Sequence, residues 1–410
     1  MNRRPAMIFI FITILIDVTG LGIIIPVMPT LMSELTGLPL EKVDEFSPMS
    51  GALMATYAIM QFVCAPIVGG ISDRYGRRPV LLGSLFGFGI DYLFLAFAPS
   101  LGWLFLGRGI AGMLGASFST AGAYIADISS TPEDRGKNFG MMGAAFGLGF
   151  VIGPALGGLL GDVGSRVPFM VSAGLSLVNC LYGFFVLPES LKPENRRTFE
   201  WKRANPFGTL KQLWQYKIVA GFLVALGFIY ISMHAVQSNW SMYTIEKFDW
   251  KPKDIGISLA VIGIATAIVQ GGLIRMIIPK LGQQRSVYFG LALYAIGFVL
   301  FAFASQGWMM YAFTFVYCLG GICGPAMQGI MAGTVPPNAQ GELQGGFTSL
   351  MSLTSIFGPI IMSLLFHYAA SDTSPVYFPG APMMLGAVLS LVSSLLARQT
   401  LKLHLPRTKA

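Results

Sequence analysis

The chain has 410 residues, of which 54% are hydrophobic and only 11% charged, with a formal net charge of +8. Soluble domains carry about 25% charged residues, so this composition leaves too little polar surface to keep one globular core in water. Apolar runs of about 20 residues, enough for a helix to cross a bilayer, alternate with short charged segments, which marks an all-α membrane protein.

In chain order, spans are predicted at 6–32, 47–70, 79–98, 101–126, 137–161, 166–187, 217–240, 254–279, 286–304, 307–333, 342–368 and 378–398. Arg3 and Arg4 precede a first apolar run that is too long for a signal-peptide core and lacks a small-residue cleavage site. The first helix is therefore expected to stay in the mature protein. Cys64, Cys180, Cys318 and Cys323 fall inside predicted spans without metal-ligand or Cys-x-x-Cys spacing, and read as small packing residues.

Orientation follows from Lys and Arg. One set of loops holds Arg3, Arg4, Arg74, Arg77, Arg78, Arg135, Lys137, a basic run from Lys192 to Lys217, then Lys280, Arg285, Arg398, Lys402, Arg407 and Lys409. The opposite set holds few basic residues (Lys42, Arg166, Lys247, Lys251, Lys253) among many acids. Both termini and the 188–216 linker are thus expected in the cytoplasm, with the chain in the cytoplasmic (inner) membrane. The positive charge records topology; it gathers on no soluble domain, so nucleic acid is not an expected partner.

The linker divides the chain into a six-helix bundle at 1–187 and another at 217–410. DRGKNFG (134–140) leads into GLGFVIGPALGG (147–158), and AQGELQGG (339–346) into SLTSIFGPIIMS (352–363). Gly136 pairs with Gly341, and Gly153-Pro154 with Gly358-Pro359, at one fixed offset. RYGRRPVLLG (74–83) has a faded echo in KLGQQRSVYFG (280–290). Twelve helices in two pseudo-symmetric halves point to a transporter with its site at the midplane, a duplicated structural bundle being the alternative.

Between the second and third spans lies GGISDRYGRRP (69–79), in which Gly69, Asp73, Arg74, Gly76, Arg77 and Arg78 fit G-x-x-x-D-[RK]-x-G-[RK]-[RK]. This resembles the cytoplasmic signature loop of the major facilitator superfamily. Gly76 permits a tight turn, and Asp73 is expected to face the positive end of a helix. Asp127, at the end of the fourth span, is expected to pair with Arg77; the resemblance implies a latch that stabilises the outward-facing state. In the fifth span, Gly147, Gly149, Gly153, Gly157 and Gly158 bare one helix face for close packing, and Pro154 favours a bend. This resembles the antiporter motif of exporters.

ILIDVTGLGIIIPVMP (14–29), YAIMQFVCAPIVGGISDRYGRRPVLL (57–82), LGRGIAGMLGASFSTAGAYIADI (106–128) and SLTSIFGPI (352–360) resemble the proton-coupled tetracycline exporters of the drug:proton antiporter group. FVLPES (185–190), IGISLA (255–260) and LQGGFTSL (343–350) extend the likeness through both halves. Those exporters commonly carry a His in the eighth helix and an Asp in the ninth; the corresponding residues here are Thr266 and Tyr294.

Asp91 is a lone acid within LFGFGIDYLFLAFAP (85–99). It sits about 18 Å into its helix at 1.5 Å per residue, near the bilayer centre, where an Asp costs about 2.5–3.5 kcal/mol on insertion scales. Such residues mark ion or substrate paths. Asp17 and Arg108 share this half, and the resembling exporters carry matching charges at all three positions. Desolvation and a neighbouring Arg pull an acid in opposite directions, as proton exchange requires; a fixed pair that only locks helices is the structural alternative. Among polar residues in apolar spans, Gln61, His234 and Gln270 are the candidate substrate contacts, His234 lying toward the outer end of its helix.

The expected function is proton-coupled antiport of small amphipathic, drug-like molecules by alternating access, tetracycline-like or multidrug. A facilitator or proton symporter for a small metabolite is the alternative. The expected partners are the cargo, protons and the lipid bilayer, with the chain a monomer driven by the proton gradient and no cofactor or metal. No HExxH, GxSxG, P-loop or His/Cys cluster is present in the sequence, so no enzyme is expected.

Overall fold

The computed structural model describes residues 3–115, 117–129, 132–196, 213–336 and 340–404. The 197–212 part of the predicted linker, with Arg407 and Lys409, lies outside the described residues, as do the side chains of Arg3, Arg4, Arg135 and Lys137. Among the described residues, twelve helices are long and apolar enough to cross a membrane: α1 (Ala6–Thr36), α2 (Leu40–Tyr75), α3 (Arg77–Phe97), α4 (Leu101–Ile128), α5 (Asn138–Gly161), α6 (Val167–Val186), α7 (Lys217–Phe248), α8 (Pro252–Leu281), α9 (Gln283–Phe303), α10 (Gly307–Ala332), α11 (Leu343–Ala370) and α12 (Ala381–Leu403). The chain is a multi-pass membrane protein, with no strand among the described residues.

Several helices outrun their predicted spans. The α-helical part of α2 starts at Val43 with Asp44 and Glu45 in its first turn, where acids complement the helix dipole. The helix containing α5 begins at Pro132. Hydropathy registers the part suited to hydrocarbon, and these polar ends extend past it.

The faces of α6 show the solvent for which it was built. Ser172, Ser176 and Asn179 are buried, while Val178, Leu181 and Phe185 point outward. Asn179 Nδ2 donates to Thr13 Oγ1 of α1 at 3.1 Å. Water-soluble helices place these residue types the other way round; here polar side chains act as glue between helices.

Two compact units are formed. Unit 1 comprises Met1–Leu40, Thr56–Asn205 and Lys251–Ala260; unit 2 comprises Glu41–Ala55, Pro206–Trp250 and Val261–Ala410. In unit 1, a Cβ on Gly256 would run into the Pro154 carbonyl and the Gly158 Cα of α5. In unit 2, a Cβ on Gly51 would lie 2.8 Å from the Pro359 carbonyl oxygen and from Ser363 of α11. Positions 51 and 256, 154 and 359, and 158 and 363 are all 205 residues apart. The repeat seen as glycine–proline steps therefore recurs as the same helix crossing in each unit. The echo at 280–290 also has a structural counterpart: Gly76 (φ 113°) opens α3 and Gly282 (φ 77°) opens α9, both in backbone conformations that side-chain-bearing residues rarely adopt.

Among the described residues, three spans are interrupted. The helix of α4 stops at Leu114, before Gly115, and resumes at Ser117; α10 breaks between Gly320 and Cys323; and α8 holds a π-turn at Val269–Leu273.

Behind α1, a Cβ on Gly153 would sit 2.5 Å from the Thr19 carbonyl oxygen and 2.9 Å from the Gly22 Cα, with backbone on both sides. Gly153→Ala is expected to cost about 1–3 kcal/mol by overpacking and to lower the melting temperature of the detergent-purified protein. Gly174→Ala, whose Cβ would meet nothing within 4 Å, is the control that leaves it unchanged.

Candidate functional site

Asp91 on α3 is 0% exposed and Arg108 on α4 is 5% exposed. Arg108 donates to both carboxylate oxygens, Nε to Oδ1 at 3.3 Å and Nη2 to Oδ2. This two-pronged geometry suits a guanidinium and a carboxylate. Gly107 makes the approach feasible, because a Cβ there would lie 2.9 Å from Asp91 Oδ1 and 3.0 Å from Phe94 Cβ.

The guanidinium also lies over the ring of Tyr57 on α2, 5.7 Å from its centroid. Cation–π attraction of this kind strengthens where water is excluded. Gln61, one turn further along α2, donates from Nε2 to the Tyr57 hydroxyl at 3.1 Å and to the Gly115 carbonyl at 3.0 Å. That carbonyl sits at the interruption in α4, where helix termination leaves acceptors unmatched. Asp17 on α1 is 9% exposed. Gly20, one turn on, leaves room for the Tyr92 ring. Unit 1 thus gathers Asp17, Tyr57, Gln61, Asp91 and Arg108 from four helices. Tyr57 was missing from the sequence expectation; its spacing of four from Gln61 places both on one helix face.

The antiporter-motif residues back this group. A Cβ on Gly149 would lie 2.8 Å from Val18 Cβ and 3.0 Å from the Leu15 carbonyl oxygen, and one on Gly157 would run into Ile23. Pro154 lies inside the helix. The α1 segment that carries Asp17 therefore rests directly on the α5 backbone.

At the turn into α3, Arg77 joins three acceptors: Asp73 Oδ1 at 2.5 Å, Ser72 Oγ at 3.2 Å and Asp127 Oδ2 at 3.2 Å. Ser190 Oγ donates to the same Asp127 oxygen at 3.0 Å. Arg78 donates to the Phe184 carbonyl at 2.5 Å, and Arg74 lies over the Tyr75 ring. Gly69 faces open space.

In unit 2, His234 is buried with its ring against Gly358 of α11. The Gln270 side chain is exposed, in the π-turn of α8; turns of this type often occur at functional positions. Thr266 Oγ1 lies 3.4 Å from Cys318 Sγ, and the Tyr294 ring meets Tyr317 with centroids 5.1 Å apart. The two positions where the resembling exporters carry His and Asp are thus neutral here, and both contact α10.

Removing one member of a buried ion pair strands the other charge. Arg108→Ala is therefore expected to destabilise the protein by about 3–5 kcal/mol, read as a lower melting temperature in detergent. Asp91→Leu combined with Arg108→Met is expected to lose less than Arg108→Ala alone.

Comparison with known proteins identifies the family. The family model described as "Major Facilitator Superfamily" matches residues 10–317. The class C tetracycline resistance protein of Escherichia coli is 39% identical over 392 residues, 96% of each chain. The class G protein of Vibrio anguillarum is 38% identical over 390 residues, 95% of this chain and 96% of that one. The crystal structure of the human organic anion transporter MFSD10 (TETRAN) shares the fold, with a TM-score of 0.70 and 21% identity over 97% of this chain and 100% of that chain. On this match of family, relatives and fold, the chain belongs to the Major Facilitator Superfamily.

Proposed function

We propose that the protein is a proton-driven exporter of small amphipathic, drug-like molecules, working as a monomer in the cytoplasmic membrane with both termini in the cytoplasm. The observation that carries this reading is the buried Asp91–Arg108 pair. A charge pair this deep in a membrane helix bundle is costly to bury and is characteristically functional. Relatives that are tetracycline resistance proteins supply the cargo class.

In this reading, a proton from outside adds to a carboxylate oxygen of Asp91 and cancels its charge. Arg108 keeps its own charge and loses its anionic partner. When the proton leaves toward the cytoplasm, the pair re-forms. Asp17 of α1 is assigned, with Asp91 and Arg108, to proton coupling. Each cycle moves protons inward and cargo outward, powered by the gradient without a cofactor. Asp73, Arg77 and Asp127 form the conformational latch, with Gly69, Arg74, Gly76 and Arg78 completing its loop. Gln61 in unit 1 and His234 and Gln270 in unit 2 are assigned to cargo contact. Thr266 and Tyr294 add no charge, so recognition in unit 2 rests on neutral and aromatic groups.

The test uses proteoliposomes with a trapped pH-sensitive dye, challenged with tetracycline and several lipophilic cations. Wild type is expected to exchange protons for at least one cargo, and Asp91→Asn to fall to background. Equal exchange by both would remove Asp91 from the coupling and sink the proposal in this form.

A further inference from the structure

The helix that carries Asp91 has no local side-chain cap at its start, since its N-cap is Gly76, and it ends at Ala98 without one. Both ends are held instead by the flanks of α6. Glu189, three residues beyond α6, accepts hydrogen bonds from the backbone N–H groups of Arg77 at 2.8 Å and Arg78 at 3.2 Å, the first two residues of α3. Gly76 clears the way, because a Cβ there would collide with the Glu189 carboxylate. At the other end Arg166, immediately before α6, donates from Nη1 to the carbonyls of Ala96 and Ala98, each at 3.0 Å. Its Nε lies 3.8 Å from Glu34 of α1.

The signs agree with the helix dipole. A carboxylate meets the positive end of α3 and a guanidinium meets the negative end. The two helices have 21 and 20 residues, so the flanks of one reach both ends of the other. Between the clamps, the Leu177 side chain of α6 sits over Gly89 of α3, and Cys180 Sγ donates to the Leu82 carbonyl at 3.4 Å. An axial slip of α3 by one residue is about 1.5 Å. It would break the hydrogen bonds at both ends and pull Asp91 away from a guanidinium held on a different helix.

We infer that Glu189 and Arg166 are positioning residues: from the two ends of α6 they set the axial register of α3 and thereby hold Asp91 against Arg108. The inference rests on the reading of Asp91 as the proton carrier only for its role in transport. The placement itself can be tested without transport.

The experiment labels Asp91 with a hydrophobic carbodiimide, which reacts with protonated carboxyls, across a pH series in detergent, with the yield read by mass spectrometry. Among the described residues, the titratable groups around Asp91 are Arg108 from α4, Tyr57 from α2 against that guanidinium, the neighbouring Tyr92 on α3 and Asp17 from α1. Arg108→Gln sets the reference, since a carboxylate without its guanidinium keeps its proton to higher pH. Glu189→Gln and Arg166→Gln are each expected to move the labelling midpoint toward that reference, by about half a pH unit or more. Glu189→Asp and Arg166→Lys are expected to recover part of the shift, and they serve if the amide variants fold poorly. Midpoints equal to wild type in all four variants, with Arg108→Gln shifted, would overturn the inference. Cargo-driven proton exchange is measured on the same preparations. A wild type that moves no protons while the midpoints still shift would sink the exporter reading and leave the clamp standing.

Discussion

Everything distinctive about unit 1 follows from one electrostatic demand: a carboxylate buried in a bundle of apolar helices must be met by a positive charge. In a low-dielectric interior an unmatched charge is far more costly than in water. Arg108 meets Asp91 from the next helix, and the rest of the local sequence makes that meeting possible. Gly107 vacates the space beside the carboxylate, and Tyr57 presents its ring to the guanidinium. Gln61 then satisfies both the phenol and the carbonyl at the break in α4.

Small residues do the equivalent work for the backbone. The α1–α5 contact is made where Gly22, Gly149, Gly153 and Gly157 remove side chains from the interface. Without a hydrophobic drive between helices in lipid, such close packing is the main attraction available. It fixes the α1 segment bearing Asp17. A stripe of glycines and a buried acid, separate features in the sequence, thus become two sides of one arrangement.

Much of this is legible in the sequence alone. Twelve apolar runs announce twelve spans, and an Asp inside LFGFGIDYLFLAFAP is conspicuous because hydrocarbon penalises it. The spacing within DRYGRRP implied a compact charged turn, where Arg77 now meets Asp73 and Asp127. Other features left no readable signal. Tyr57 looks like any aromatic in an apolar span, since its role comes from a cation on another helix. The π-turn at Val269–Leu273 contains Gly271 and Gly272, and glycine pairs are ordinary in membrane helices. The Glu189 cap joins residues 112 positions apart, a distance at which local periodicity carries no information.

The repeated crossing has one more implication. Gly51 and Gly256 meet equivalent prolines, Pro359 and Pro154, so the helix scaffold is duplicated down to individual backbone contacts. The charges are not. Counting 205 or 206 residues onward from Asp91 reaches Ile296 or Gly297, and from Arg108 it reaches Phe313 or Thr314. The two copies have kept a common architecture while diverging in what they enclose. One copy can remain bound to the demands of ion chemistry, and the other is free to drift in residue type. Such a division gives a lineage room to acquire new cargo without rebuilding its source of power.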